Sequence, residues 1–247
     1  MKLMKRMLRV ATVLGAVGAS LAVGVGNSHA GLGLRIDFGN DGWDSTIQDD
    51  GVGDFVPFNL GTLTNMTASG LVTFLIDTGL SKTDVGSATN PIMDLLTGLI
   101  STGATTVKIQ LSDTHFDGEP IGFGQIVSIG GTITGTSGTV TTDIYRDLSN
   151  AQFGTGTLIC STGALVIGSG DSFSGSCGNF ISLDDEYSLT LETIIHLDGA
   201  GIVSYDAITR LAKDGEVDVP EPSSMLLLGF GVMGLGAWRR RRKAQQN

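Results

Sequence analysis

Thr105-Thr106-Val107-Lys108-Ile109-Gln110-Leu111 sets apolar residues at 107, 109 and 111 against polar ones at 108 and 110. A period of two makes an extended strand with one buried and one wet face. On either side of it, short runs rich in β-branched or aromatic residues recur between Gly, Asn, Asp and Ser. They are Leu34–Phe38, Leu71–Asp77, Gln125–Thr134, Thr139–Tyr145, Thr157–Cys160 and Tyr187–Leu197. In the last run Leu189, Leu191, Ile194 and Ile195 slip register near Glu192-Thr193, which predicts a bulge there. Gly130-Gly131 and Thr136-Ser137-Gly138 read as turns. Seven or more short strands with Gly-rich turns predict an all-β fold, a single antiparallel β-sandwich of jelly-roll-like or Ig-like type.

One segment reads differently. Asn90 suits a helix cap and Pro91 a first helical position, while Ile92, Leu95, Leu96 and Leu99 share a helical face that Gly103 ends. The expectation is one short helix crossing over the sheet. No repeat of fixed period appears, and no linker is long enough to divide the body.

Charge is segregated along the chain. The formal net charge is −10, yet Lys2, Lys5, Arg6 and Arg9 sit at one end and Arg239 to Lys243 at the other. Between Gly31 and Val219 there are six basic and 24 acidic residues. Such a body has no basic face with which to displace counterions, so nucleic acid is excluded as a partner. Gly is 37 of 247 residues, but Pro is only five and no period of three exists, which excludes collagen.

The first 30 residues read as a secretory signal peptide. Four positive charges precede the uncharged run Val10 to Val25, and small residues at Ser28 and Ala30 place signal peptidase cleavage between Ala30 and Gly31. Export frames the two cysteines, Cys160 and Cys177, whose default in an oxidising compartment is one intramolecular disulfide. A reactive thiol or a metal ligand is the alternative, although neither residue lies in a C-x-x-C pair.

At the other end Val219-Pro220-Glu221-Pro222 precedes a run of 14 apolar residues, Met225 to Trp238, and then Arg239-Arg240-Arg241-Arg242-Lys243. As a helix the run spans only about 21 Å against a hydrocarbon core of ~30 Å. It is nevertheless apolar on every side, and Gly229, Gly231, Gly234 and Gly236 would weaken a helix in water. Terminal cations absorb such a mismatch by snorkelling, so a C-terminal transmembrane helix is expected, with the arginines as cytoplasmic stop-transfer charges. Gly229 to Gly234 also match G-x-G-x-x-G, but no strand precedes them and no dinucleotide site follows.

Pro-Glu-Pro, a short apolar span and an Arg cluster, in that order, resemble the PEP-CTERM sorting signal of exported bacterial proteins. The resemblance covers Val219 to Lys243 alone and carries no information about the body's fold or activity. It implies recognition of Pro220, Glu221 and Pro222 by an exosortase, a membrane-embedded cysteine protease–transpeptidase. It further implies a Gram-negative source that makes exopolysaccharide, a transient inner-membrane anchor at Met225 to Trp238, and delivery of the body to the cell surface or extracellular matrix. The domain plan is therefore a signal peptide at 1–30, an exported acidic β-sandwich at 31–218 and a sorting signal at 219–247.

Within the body, the strongest candidate for chemistry is the acidic stretch from Asp37 to Asp54. Asp41, Asp44, Asp49, Asp50 and Asp54 offer hard oxygen ligands of the kind Ca²⁺ takes. Asp37, Asp41 and Gly42 fit positions 1, 5 and 6 of an EF-hand loop, but Gly39 and Gln48 break it at positions 3 and 12. A looser Ca²⁺ site and a solvated turn-rich loop both remain open. Trp43 beside these acids offers a ring for stacking on a sugar or for packing. Asp184-Asp185-Glu186 supplies neighbouring carboxylates, though glycoside hydrolysis needs two acids facing each other across a cleft. His115 and His196 form no signature, and no catalytic motif with a defined spacing occurs in the body.

These readings point to a non-enzymatic, exosortase-processed surface or matrix protein with a structural or adhesive role and no required cofactor. The alternatives are a Ca²⁺-assisted carbohydrate-binding module on the Asp41–Asp54 loop, with exopolysaccharide as partner, and an extracellular hydrolase.

Overall fold

A computed structural model describes residues 31–213 apart from 58, 83, 119–122 and 180–184. The signal peptide and the sorting segment therefore lie outside the described residues. Thirteen strands follow in chain order: β1 (Gly33–Phe38), β2 (Ser45–Gln48), β3 (Thr62–Ser69), β4 (Val72–Leu80), β5 (Ile92–Ser101), β6 (Thr105–Phe116) and β7 (Phe123–Thr134). Then come β8 (Gly138–Asp147), β9 (Thr157–Ser161), β10 (Leu165–Ile167), β11 (Ser172–Asn179), β12 (Tyr187–Leu197) and β13 (Gly201–Lys213). All pairings among the described residues are antiparallel. Sheet A runs β10-β8-β12-β6-β1-β2, with β9 also on β8, and sheet B runs β11-β7-β13-β5-β4-β3.

Alternation explains how the two sheets close on one core. Leu34, Ile36, Val107, Ile109, Leu111, Leu191 and Ile195 point inward from sheet A, and Leu63, Leu75, Met93, Leu95, Leu99, Val203 and Tyr205 from sheet B. At about 25 cal/mol per Å² of apolar area removed from water, this shared layer is the main source of stability. Gly79 shows how tightly the sheets meet, since a Cβ there would lie 2.3 Å from Leu111 Cδ1.

Three expectations are corrected. The segment expected to be a helix is β5, and no residue among those described is helical. Met93, Leu95, Thr97 and Leu99 face the core, while Leu96 and Ile100 stand out of the other face at 53% and 39% exposure. A strand apolar on both faces yields the Leu95-Leu96 and Leu99-Ile100 doublets that imitate a helical period. Gly130-Gly131 is not a turn but the middle of β7, where a Cβ on Gly131 would meet Tyr205 Cβ and Phe173 Cζ, each at 2.7 Å. The irregularity of β12 lies between Tyr187 and Leu189 rather than at Glu192-Thr193. There Thr193 simply takes a core-facing position, and its hydroxyl meets that of Thr142 at 3.3 Å. Thr136-Ser137-Gly138 does connect β7 to β8, as expected.

Candidate functional site

The acidic stretch divides around β2 into two groups. Asp37, Asp41 and Asp44 hold carboxylate oxygens within 4.8 Å of one another, and so do Asp49, Asp50 and Asp54. The five candidate ligands are thus not one set, and Asp37 joins the first group. Backbone amides use many of these oxygens. Asp37 accepts from Asp41 N at 3.1 Å and Gly42 N at 3.3 Å, and lies 3.9 Å from Lys108 Nζ. Asp44 accepts from Phe38 N at 2.6 Å. These contacts fold the turn, as Asp does wherever its side chain replaces a backbone acceptor.

The second group is bound more unevenly. Asp54 accepts from Asp50 N at 3.2 Å, Val56 N at 3.0 Å and Thr64 N at 3.1 Å. Phe55 N donates to Thr64 O at 2.8 Å, so this loop occupies the hydrogen-bonding edge of β3 where a further strand would pair. Asp49 Oδ2 accepts from Gly61 N at 2.8 Å, but its buried Oδ1 has no partner among the described residues. Burial pushes the Asp49 carboxyl up; the Gly61 amide opposes this, and Asp50 and Asp54 add to it. Gly31, expected to be the mature N-terminus, lines a shallow groove with Gln48, Asp49, Asp50, Asn150 and Gln152. Gln152 Nε2 holds its carbonyl at 2.6 Å.

Strand register builds a second feature on the outer face of sheet A. Arg35, Gln110, Glu192 and Asp143 stand opposite one another across β1, β6, β12 and β8. Arg35 Nε donates to Gln110 Oε1 at 2.5 Å, and Gln110 Nε2 donates to Glu192. Tyr145 donates to Asp143 at 3.3 Å, and burial, with both nearby carboxylates, pushes its hydroxyl up to about 12. The Arg35 guanidinium lies 3.8 Å from the Trp43 ring centre and 4.6 Å from that of Phe153, and Lys108 Nζ lies 4.5 Å from Trp43. Trp43 is therefore engaged by two cations. No local signal predicts this row, because it joins residues 35 to 192 through pairing.

The remaining candidates are separate. His115 Nε2 sits 3.7 Å from Glu186, and His196 Nε2 sits 3.5 Å from Asp198. His196 pairs with Thr106 at the start of β6, nine residues from His115, so the two histidines stand about 30 Å apart. Asp184, the partner proposed for Asp185 and Glu186, lies outside the described residues. Cys160 and Cys177 form a disulfide with Cα atoms 5.8 Å apart, joining β9 of sheet A to β11 of sheet B.

Among the described residues no helix is long and apolar enough to cross a membrane. Ala30, the residues of Pro220-Glu221-Pro222 and Arg239 to Arg242 fall outside them.

No curated protein matches the chain. Among solved structures, a carbohydrate-binding module, TmCBM61, in complex with β-1,4-galactotriose matches at 6% identity and TM-score 0.32, over 56% of this chain and 88% of that one. The C-terminal family 22 carbohydrate-binding module of Clostridium thermocellum Xyn10B matches at 12% identity and TM-score 0.30, over 64% and 85%. The enzymatically active domain of tailspike protein 4 of bacteriophage CBA120 matches at 14% and 0.34, over 62% of this chain and 19% of that one. Likenesses this distant carry no statement about ligand. The tail is another matter: residues 218–242 of this chain are a PEP-CTERM protein-sorting motif.

Proposed function

We propose that the chain is exported, cut by signal peptidase between Ala30 and Gly31, and held in the inner membrane by residues 225–238. An exosortase then cuts near Pro220-Glu221-Pro222 and leaves the sandwich at the cell surface or in the extracellular matrix, in a structural or adhesive, non-enzymatic role. The sorting motif at 218–242 carries this reading. A disulfide between the two sheets and a strongly acidic body both suit an oxidising exterior. Intact-mass measurement of the protein recovered from cells and medium tests it. The expected species begins at Gly31 and has lost Trp238 and the arginines. A mature species that retains Trp238 and fractionates with soluble cytosol refutes it.

The uneven binding of the second acidic group favours a further reading, Ca²⁺-assisted binding of carbohydrate. Three convergent carboxylates, one with a buried oxygen that has no partner among the described residues, form a hard-ligand set. With a Kd of ~10⁻⁴ M, 10 mM Ca²⁺ stabilises by about 2.7 kcal/mol. For a body of this size that is a rise of roughly 5–10 °C in melting temperature by calorimetry. An unchanged melting temperature removes calcium from the account.

A further inference from the structure

A row of polar side chains crosses the inner face of sheet B. Register sets Asn65 of β3 opposite Asp77 of β4, Asp77 opposite Thr97 of β5, and Thr97 opposite Tyr205 of β13. All four are buried, Asp77 and Thr97 completely. Thr97 donates its hydroxyl hydrogen to Asp77 Oδ1 at 2.6 Å, and Asn65 Nδ2 donates to Gly53 O at 2.9 Å. That leaves two acceptors, Asp77 Oδ2 and Asn65 Oδ1, buried and without partners among the described residues. Directly paired residues bring their Cβ atoms within ~5.5 Å, so the two oxygens belong to one small region. Two orphaned acceptors on directly paired residues need a donor. The Tyr205 hydroxyl, also without a partner among the described residues, stands two strands from Asp77, so the nearest donor is a proton on one of the two groups themselves.

We propose that Asp77 and Asn65 form a proton-controlled latch between the core and the 49–54 loop. With Asp77 neutral, its Oδ2–H donates to Asn65 Oδ1, which keeps Nδ2 turned toward Gly53 O. When Asp77 releases its proton to solvent, the Asn65 amide turns to donate to the new carboxylate, and the Gly53 carbonyl is let go. The loop then loses its tie to the sandwich interior. Its contacts on the edge of β3, Asp54 on Thr64 N and Phe55 N on Thr64 O, loosen with it.

The groups around Asp77 place the transition near neutrality. Asn65 and Thr97 face it from β3 and β5, Tyr205 stands one strand beyond on β13, and Thr193 lies near the Tyr205 hydroxyl from sheet A. None of these supplies a positive charge. Tyr205 stays protonated, because burial and the adjacent Asp77 push its hydroxyl up. Burial pushes Asp77 itself up to about 7, with Thr97 opposing. A carboxyl raised in this way stabilises the folded state fully below the unfolded value near ~4. That contribution is lost as pH rises through about 7.

The test is amide hydrogen exchange at Phe55 and Thr64 of the full chain between pH 5.5 and 8.5, corrected for intrinsic rate, with the Asp77 carboxyl followed by carbon NMR. Protection at both amides is expected to fall at least tenfold, with a midpoint matching the Asp77 titration. Asp77→Asn keeps a donor for Asn65 Oδ1 and should hold the loop protected across the range. The latch is refuted if Asp77 titrates below pH 5, if protection is unchanged through its titration, or if the pH dependence persists in Asp77→Asn. The carboxyl titration of the unmutated chain decides the matter even where the variant folds poorly.

Discussion

Lys82→Met is expected to destabilise the fold by about 3–5 kcal/mol, because it leaves a buried carboxylate without its counter-charge. Asp113 on β6 is fully buried, and Lys82 Nζ lies 3.4 Å from its Oδ1, with only 12% of the lysine side chain exposed. The lysine also donates to Thr114 O and sits 4.3 Å from the Phe116 ring centre. Ser81 and the Thr114 amide donate to the same carboxylate at 2.6 and 2.7 Å. Burial already pushes Asp113 up against the opposing pull of Lys82, so removing the cation pushes it further. A raised carboxyl stabilises at low pH, so the deficit of the variant should be smallest near pH 4 and grow as pH rises through the folded value. Lys82→Met combined with Asp113→Asn keeps an acceptor for Ser81 and removes the charge, and should recover most of the loss. Urea unfolding at pH 4 and pH 7 gives both numbers. A loss under 1 kcal/mol at pH 7 would show that water, not Lys82, compensates Asp113.

The second large effect belongs to the disulfide. Cys160 and Cys177 are separated by 17 residues, and cross-linking a loop of that size contributes on the order of 3 kcal/mol through the unfolded chain. The expected drop in melting temperature on replacing both by Ser is roughly 6–12 °C. Its place gives the loss a direction. β9 pairs on β8 at one border of sheet A, and β11 pairs on β7 at one border of sheet B. Without the link those borders should open first, so exchange at β9 and β11 amides should rise before that at β12 or β13. Uniform exchange across all four strands would show that the bridge acts on the unfolded chain alone.

Legibility in the sequence followed the contrast between the two faces of a strand, even where the polar one is buried, as at Gln110 and Ser112 of β6. β6 and β8 have one buried and one polar face, and both read as strands. β5 places Leu96 and Ile100 outward and so imitated a helix. β13, the longest strand among the described residues, does not read as one, because Ile202 and Ile208 on its outer face mask the inward Val203, Tyr205 and Ala207. β11, with Gly and Ser throughout, and the three-residue β10 are strands only by virtue of the neighbours they pair with. The site was legible as far as chain proximity carries. The Asp37–Asp54 stretch does hold convergent carboxylates, but its division by β2 was not visible. Asn65, in the triplet Asn65-Met66-Thr67, is an interior residue that no local pattern marks as such. The Arg35–Gln110–Glu192–Asp143 row exists only once register is set.

The position of Asp54 on Thr64 has a consequence for crowding. Proteins displayed densely at a surface meet edge to edge, and a bare strand is a template for runaway stacking into fibres. Here an arriving neighbour finds a carboxylate and Phe55 already seated on that rung. That rung of β3 is thereby closed to an incoming strand.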